Sequence, residues 1–235
     1  MTKDAKLTLI AHLDELRNRI IKSVLAIVGA TCLAYLFIDE IFPVLIKPVG
    51  RLVFIAPQEA LVANIKIAFF CGLFLAIPVI LFQIWRFISS GLDKKELKYV
   101  HIFAPLSYVF FLAGSSFCFL VIVPITIDFL MGFARSDIIP MITISKYVSF
   151  VGTLTLTFGL VFEIPLASFF FTKIGWVTPE FLAKKRRIAI VVIFISAAIL
   201  TPPDVVTQCM MAIPLIVLYE IGILFSKAAF NPKSE

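Results

Sequence analysis

Charge is scarce in this chain. Asp, Glu, Lys and Arg make up 15% of its 235 residues, where a soluble domain carries about 25%. Histidine is scarcer still. His12 and His101 both flank predicted inside ends of helices, so neither can activate a serine deep in a membrane. With no GxSxG elbow and no HExxH pair, an intramembrane protease is disfavoured. The lack of a GxxxxGK[ST] loop excludes nucleotide hydrolysis by that route. Cysteine is limited to Cys32, Cys71, Cys118 and Cys209, in four separate apolar stretches. There is no CxxC pair and no His at ligand spacing, so the cysteines read as small buried hydrophobes rather than metal ligands. The chain opens on a polar segment with no small-residue cleavage site after its first apolar run, so no cleavable signal peptide is expected. No metal, cofactor or enzymatic site is expected.

What is abundant is apolar. The sequence is 61% hydrophobic with 25 Phe, and its mean hydropathy is +1.06. A soluble domain averages ~45–50% apolar residues. The chain is expected to be an all-α polytopic membrane protein in a single membrane domain. Its net charge of +6 then belongs to basic residues on the cytoplasmic side, not to a nucleic-acid surface.

Six transmembrane helices are predicted, at about 20–38, 65–84, 100–129, 147–172, 188–200 and 205–225. Leu9, Leu13, Leu16 and Ile20 form an apolar stripe before the first, so residues 1–19 are expected as a cytoplasmic amphipathic helix. It should lie along the interface and then turn in. The loop 39–64 is broken by Pro43, Pro48 and Pro57 and is expected to hold a short interfacial helix. Asp93 and Glu96 have capping-box spacing; Thr178-Pro179 reads as an N-cap followed by proline at the first helical position. Ile188–Leu200 covers only ~20 Å at ~1.5 Å per residue, short of a ~30 Å hydrocarbon core. The apolar part of the sixth span is also short. Most of the 21 Lys and Arg fall in segments that six spans place on one side; only Lys47, Arg51, Lys66, Arg135 and Lys146 fall on the other. The positive-inside rule then puts both termini in the cytoplasm, with residues 226–235 as a cytoplasmic tail.

The few acids are the candidates for function. Glu163 lies near the middle of the fourth span, with Gly152, Thr155 and Gly159 on the same helical face. Pro165 should kink the helix there. This is either a structural acid or an intramembrane polar site open to a partner helix. Glu15 and Glu96 are both predicted inside, where two carboxylates could grip a pair of guanidinium groups. Alternatively, Glu15 pairs with Arg19 at i,i+4 and Glu96 closes its capping box. A small-solute secondary transporter, coupled to protons or ions through Glu163, is the rival function, although no internal repeat supports it. A purely structural membrane scaffold is the third reading.

The motifs, taken in order, resemble the TatC family, the large subunit of the twin-arginine protein translocase. They are His12-Leu13-Asp14-Glu15-Leu16-Arg17-Asn18-Arg19, Pro48, Ser90-Gly91-Leu92 with Glu96, Phe158-Gly159 with Phe162-Glu163 and Pro165, and Thr201-Pro202-Pro203-Asp204. The resemblance covers essentially the whole chain. It implies a curved, cup-like wall of six helices in the inner membrane. It implies that the inside surface reads the two arginines of a signal peptide on folded cargo. The recognition acids fall on Glu15 and Glu96, with Arg17 and Phe87 in the same patch. It implies TatA and TatB as single-span partners, a homo-oligomer within a hetero-oligomeric complex, and the proton-motive force as the energy source. On this reading Glu163, Thr155 and Gly159 face an arriving partner helix, while Pro48, Pro202 and Asp204 shape the outer loops. Short fifth and sixth spans would also thin the bilayer beside the wall.

Overall fold

A computed structural model describes residues 3–49, 52–92, 97–132, 141–200 and 204–230. Among these residues all regular structure is helical, apart from one parallel bridge between Val53 and Thr143. In chain order the helices are α1 (Lys3–Leu36), α2 (Ile38–Ile46), α3 (Pro57–Ser90), α4 (Leu97–Phe117), a π turn (Cys118–Ile122), α5 (Val123–Met131), α6 (Ile144–Val161), α7 (Glu163–Lys173), α8 (Pro179–Lys184), α9 (Arg186–Leu200) and α10 (Val205–Ala229). Among the described residues, five helical stretches are long and apolar enough to cross a membrane. The remaining expected span, α9, has 15 residues, or ~22 Å of helix. It is short, as expected.

Proline sets the breaks. Pro165 has no N–H for the carbonyl four residues back, that of Val161, and its ring crowds that carbonyl. The fourth span therefore ends as α6 at Val161 and restarts as α7 at Glu163. Pro124 likewise gives Leu120 no donor. Here the chain widens into the π turn, which closes when the Val123 N–H donates to the Cys118 carbonyl. The short helix expected in residues 39–64 is α2, which begins at Ile38. Thr178 caps α8 by accepting from the Phe181 N–H at 3.3 Å, with Pro179 in the first turn.

Two expectations need correction. The chain does not turn after Arg19: α1 runs unbroken through 34 residues. No proline or glycine interrupts it before Gly29, and the Ser23 hydroxyl bonds back to the Arg19 carbonyl at 3.0 Å. The sixth helix is not short. α10 has 25 residues because helix continues past the apolar stretch through Glu220 and Lys227.

The contacts divide the chain into two compact units. The first comprises residues 1–38 and 67–108. α1 and α3 approach closely at Gly72, where a Cβ would lie 2.4 Å from the Thr31 Cα. Trp85 is buried, stacks on Phe103 with centroids 5.8 Å apart, and donates its N–H to Ser107 Oγ at 2.8 Å. Along α1, Ile20, Val24, Leu25, Val28 and Leu36 are exposed. In a helix whose apolar part begins at Ile20, those side chains suit contact with lipid.

The second unit comprises residues 39–66 and 109–235. Phe111, Val151, Leu154, Phe158, Phe170, Met211 and Ile223 are buried at its centre. The Thr172 and Ser226 hydroxyls meet at 2.6 Å between α7 and α10, and a Cβ on Gly222 would come within 3.1 Å of Ser168 Oγ. Small and hydroxyl residues let these helices approach closely where no hydrophobic effect drives them together.

Candidate functional site

The site is built from helical faces. On α1, His12, Glu15 and Arg19 repeat at i, i+3 and i+7. On α3, Gln83, Phe87 and Ser90 repeat at i, i+4 and i+7. Within the first unit these two stripes meet. The His12 and Phe87 rings stack at 4.5 Å and 24°. Arg19 Nη1 donates to Gln83 Oε1 at 3.4 Å, and the Ser90 hydroxyl donates to the Phe87 carbonyl at 2.7 Å.

At the centre is a guanidinium–carboxylate pair. Arg19 Nε donates to Glu15 Oε1 at 3.0 Å, and a second Arg19 nitrogen bonds the same oxygen. His12 Nδ1 stands 4.0 Å from Glu15 Oε2. Arg19 pulls the Glu15 pKa below its ordinary value; desolvation opposes this, and smaller contributions from Ser90 and His12 add to the lowering. Asp14, Glu15, Asn18, Arg19, Lys22 and Arg86 line a cleft of about 480 Å³. Its charges are mixed, and its carboxylates can exchange one cation for another. Arg17 is exposed on α1, and Phe87 is half-buried. Glu96 lies outside the described residues, as does its capping box with Asp93.

In the second unit Glu163 opens α7, half-buried, directly after the break at Phe162. Its carboxyl sits at a helix N-terminus, where negative charge is favoured. Thr155 and Gly159 are buried against the chain's own α4. A Cβ on Gly159 would lie 2.5 Å from both Phe111 Cε2 and Ser115 Oγ, and Ser115 Oγ donates to the Thr155 carbonyl at 3.4 Å. The small-residue face is thus filled from within the chain, while Glu163 stands beyond it. Pro48 lies in the turn after α2. Asp204 caps α10: Oδ2 accepts from the Thr207 N–H at 2.9 Å, and Thr207 Oγ1 donates to the Asp204 carbonyl at 3.2 Å. Pro202 lies outside the described residues. Among the described residues no group of His, Cys, Asp and Glu is arranged to hold a metal ion.

Sequence reasoning missed a polar cluster at the other end of α3. Lys66 Nζ donates to Ser145 Oγ at 2.7 Å and to Ser149 Oγ at 2.9 Å. Glu59 accepts from the Ile55 N–H at 2.9 Å and the Ser145 N–H at 3.4 Å. The Tyr147 hydroxyl donates to the Leu45 carbonyl at 2.7 Å. The i,i+4 serines on α6 were the available signal; their partner lies 79 or more residues away in sequence.

Comparison with known proteins follows the same geometry. The family model described as Sec-independent protein translocase protein (TatC) matches residues 11–214. The chain is 42% identical over 230 residues to the Sec-independent protein translocase protein TatC of Carboxydothermus hydrogenoformans, covering 96% of this chain and 95% of that protein. It is 34% identical to TatCd of Bacillus subtilis, covering 96% and 93% respectively. A crystal structure described as the twin arginine translocase receptor TatC superposes with a TM-score of 0.86 at 37% identity, covering 93% of this chain and 99% of that one.

Proposed function

This chain belongs to the TatC family of Sec-independent protein translocase proteins, and from that premise we propose that it is the signal-peptide receptor of its translocase. It is a multi-pass membrane protein and a translocase component. In the proposed role its inside surface binds the paired arginines of a signal peptide carried by folded cargo. The observation that carries this reading is the Arg19–Glu15 pair. A guanidinium already sits on the Glu15 carboxylate in a half-open cleft, so an incoming arginine needs only to replace one of its own kind. Glu96 supplies the second carboxylate, and Phe87, with His12 stacked on it, forms an apolar wall for the peptide. Arginine suits such a site better than lysine, because its planar fork meets a carboxylate through two donors at once.

Both termini then face the cytoplasm, and the chain works in the inner membrane with the single-span TatA and TatB subunits, driven by the proton-motive force. Glu163 is the proposed contact for a polar residue in a partner span, because Thr155 and Gly159 are already covered by Phe111 and Ser115. The test is photo-cross-linking of a twin-arginine peptide to the membrane-embedded protein. Glu15→Gln and Glu96→Gln should each lower the yield, and a twin-lysine peptide should cross-link weakly to the wild type. Undiminished yield in the Glu15→Gln/Glu96→Gln double variant would overturn the assignment.

A further inference from the structure

A second cavity in the first unit, of about 630 Å³, opens between the end of α3 and the start of α4. Its wall is apolar, with Pro78, Phe82, Trp85, Pro105 and Tyr108 among its lining residues. The Trp85 N–H is committed to Ser107, so the indole has no donor left for a ligand. The polar groups come from Arg86, Ser89 and His101. Arg86 and His101 are exposed, so the polar end is the open one. The Arg86 guanidinium lies over the Phe82 ring, 6.0 Å from its centroid.

An apolar slot with a cationic mouth, cut into helices that span a bilayer, matches an anionic amphiphile. The mouth is wrong for a twin-arginine peptide, because its described lining holds Arg86 and His101 and, unlike the Glu15 cleft, no carboxylate. It is right for a phosphodiester, which accepts from a guanidinium and an imidazole N–H at once. We propose that this cavity binds one anionic phospholipid, its phosphate held by Arg86 and His101 and an acyl chain laid against Phe82, Trp85 and Tyr108. Arg86 also lines the Glu15 cleft. A phosphate on Arg86 therefore offsets a cation beside the carboxylate that receives cargo. This consequence rests on the receptor reading above; the lipid site itself does not.

The chain has two tryptophans, so in Trp176→Phe the emission reports Trp85 alone. The full chain is placed in nanodiscs of phosphatidylcholine carrying an equal fraction of acyl-brominated phosphatidylglycerol or acyl-brominated phosphatidylcholine, with no peptide present. Bromine quenches tryptophan only at short range. A basic residue near an anionic lipid should enrich that lipid by about fivefold, so brominated phosphatidylglycerol should quench Trp85 the more strongly. Arg86→Gln with His101→Gln should remove the excess, and Arg86→Lys should keep most of it. Equal quenching by the two lipids overturns the proposal, as does an excess that survives the double variant. An excess abolished by inorganic phosphate assigns the mouth to a free anion and also overturns it. A twin-arginine peptide titrated into the same discs separates the two ideas. Failure of peptide binding with the quenching excess intact sinks the receptor reading and leaves the lipid site standing.

Discussion

Arg19 and Glu15 stand one turn apart on α1, and the guanidinium donates to a single carboxylate oxygen, with Nε at 3.0 Å. The pair is part-exposed, with side chains 15% and 31% accessible, so solvent limits its strength to roughly 0.2–1 kcal/mol. Removing the internal cation should therefore help a competing one. Arg19→Gln is expected to tighten binding of a labelled twin-arginine peptide by about twofold to fivefold, and Glu15→Gln to weaken it. Fluorescence anisotropy in nanodiscs reads both. An Arg19→Gln variant that binds no better would show that Arg19 does not compete for Glu15.

The same pair sets a pH dependence. Arg19 lowers the Glu15 pKa, so the carboxylate stays charged to lower pH than an unpaired glutamate would. Peptide binding should accordingly persist into mild acid and fade as Glu15 protonates. A binding midpoint above the ordinary carboxylate range would count against Glu15 as the acceptor.

Gly72 packs α3 directly on the backbone of α1. Its virtual Cβ lies 2.4 Å and 2.5 Å from the Thr31 Cα and N. Both are backbone atoms, so α1 itself must shift to admit a methyl group. Gly72→Ala is expected to cost roughly 1–3 kcal/mol and to lower the melting temperature in detergent. Gly29 on α1 has nothing within 4 Å of its virtual Cβ. Gly29→Ala should be neutral, or stabilising by up to about 1 kcal/mol through helix propensity. A reversed order of melting temperatures would contradict the packing described here.

Lys66, in the N-terminal part of α3, ties that helix to α6 through Ser145 and Ser149. Lys66→Met keeps the length of the side chain and removes all of its donors. The bridge nearby depends on Val53, whose N–H donates to Ile142 at 3.1 Å and whose carbonyl accepts from Ile144 at 3.0 Å. Hydrogen exchange should quicken at Val53 and Ile144 in the variant and stay unchanged along α10. Unchanged protection at the bridge would show that Lys66 does not hold it.

The 15 residues of α9 make a span of ~22 Å against a core of ~30 Å. One added turn of leucine and alanine in the middle of Ile188–Leu200 should relieve the mismatch. If thinning of the bilayer assists transport, the extended protein should still bind signal peptide but export little cargo. Normal export would remove thinning from the mechanism.

The spans were legible because hydropathy alone decides which segments enter lipid. Breaks inside them were less so. Pro165 announces a kink, but it acts on Val161, four residues upstream, so the helix parts at Phe162. Pro124 could have predicted a distortion, though not that the chain would answer with a π turn. Residues 1–19 read as an interfacial helix because their stripe is amphipathic; nothing in that stripe shows that the helix never stops. Glu15 with Arg19 was visible as an i,i+4 pair. His12 on Phe87 and Arg19 on Gln83 were not, since they depend on the register of α1 against α3, 64 residues apart at the Arg19–Gln83 bond. Lys66 was hidden for the same reason. The face of Thr155 and Gly159 was expected to meet an arriving partner helix; it is filled instead by Phe111 and Ser115 of the chain's own α4, which pattern alone could not name.

The uninterrupted α1 has a mechanical consequence. A rod of 34 residues is ~51 Å long, with Glu15 near one end and Leu36 at the other. Without a hinge between them, it cannot absorb a load by bending locally. A load applied near Glu15 therefore acts on a lever, and any tilt imposed at that end is carried along the whole 34-residue helix to Leu36.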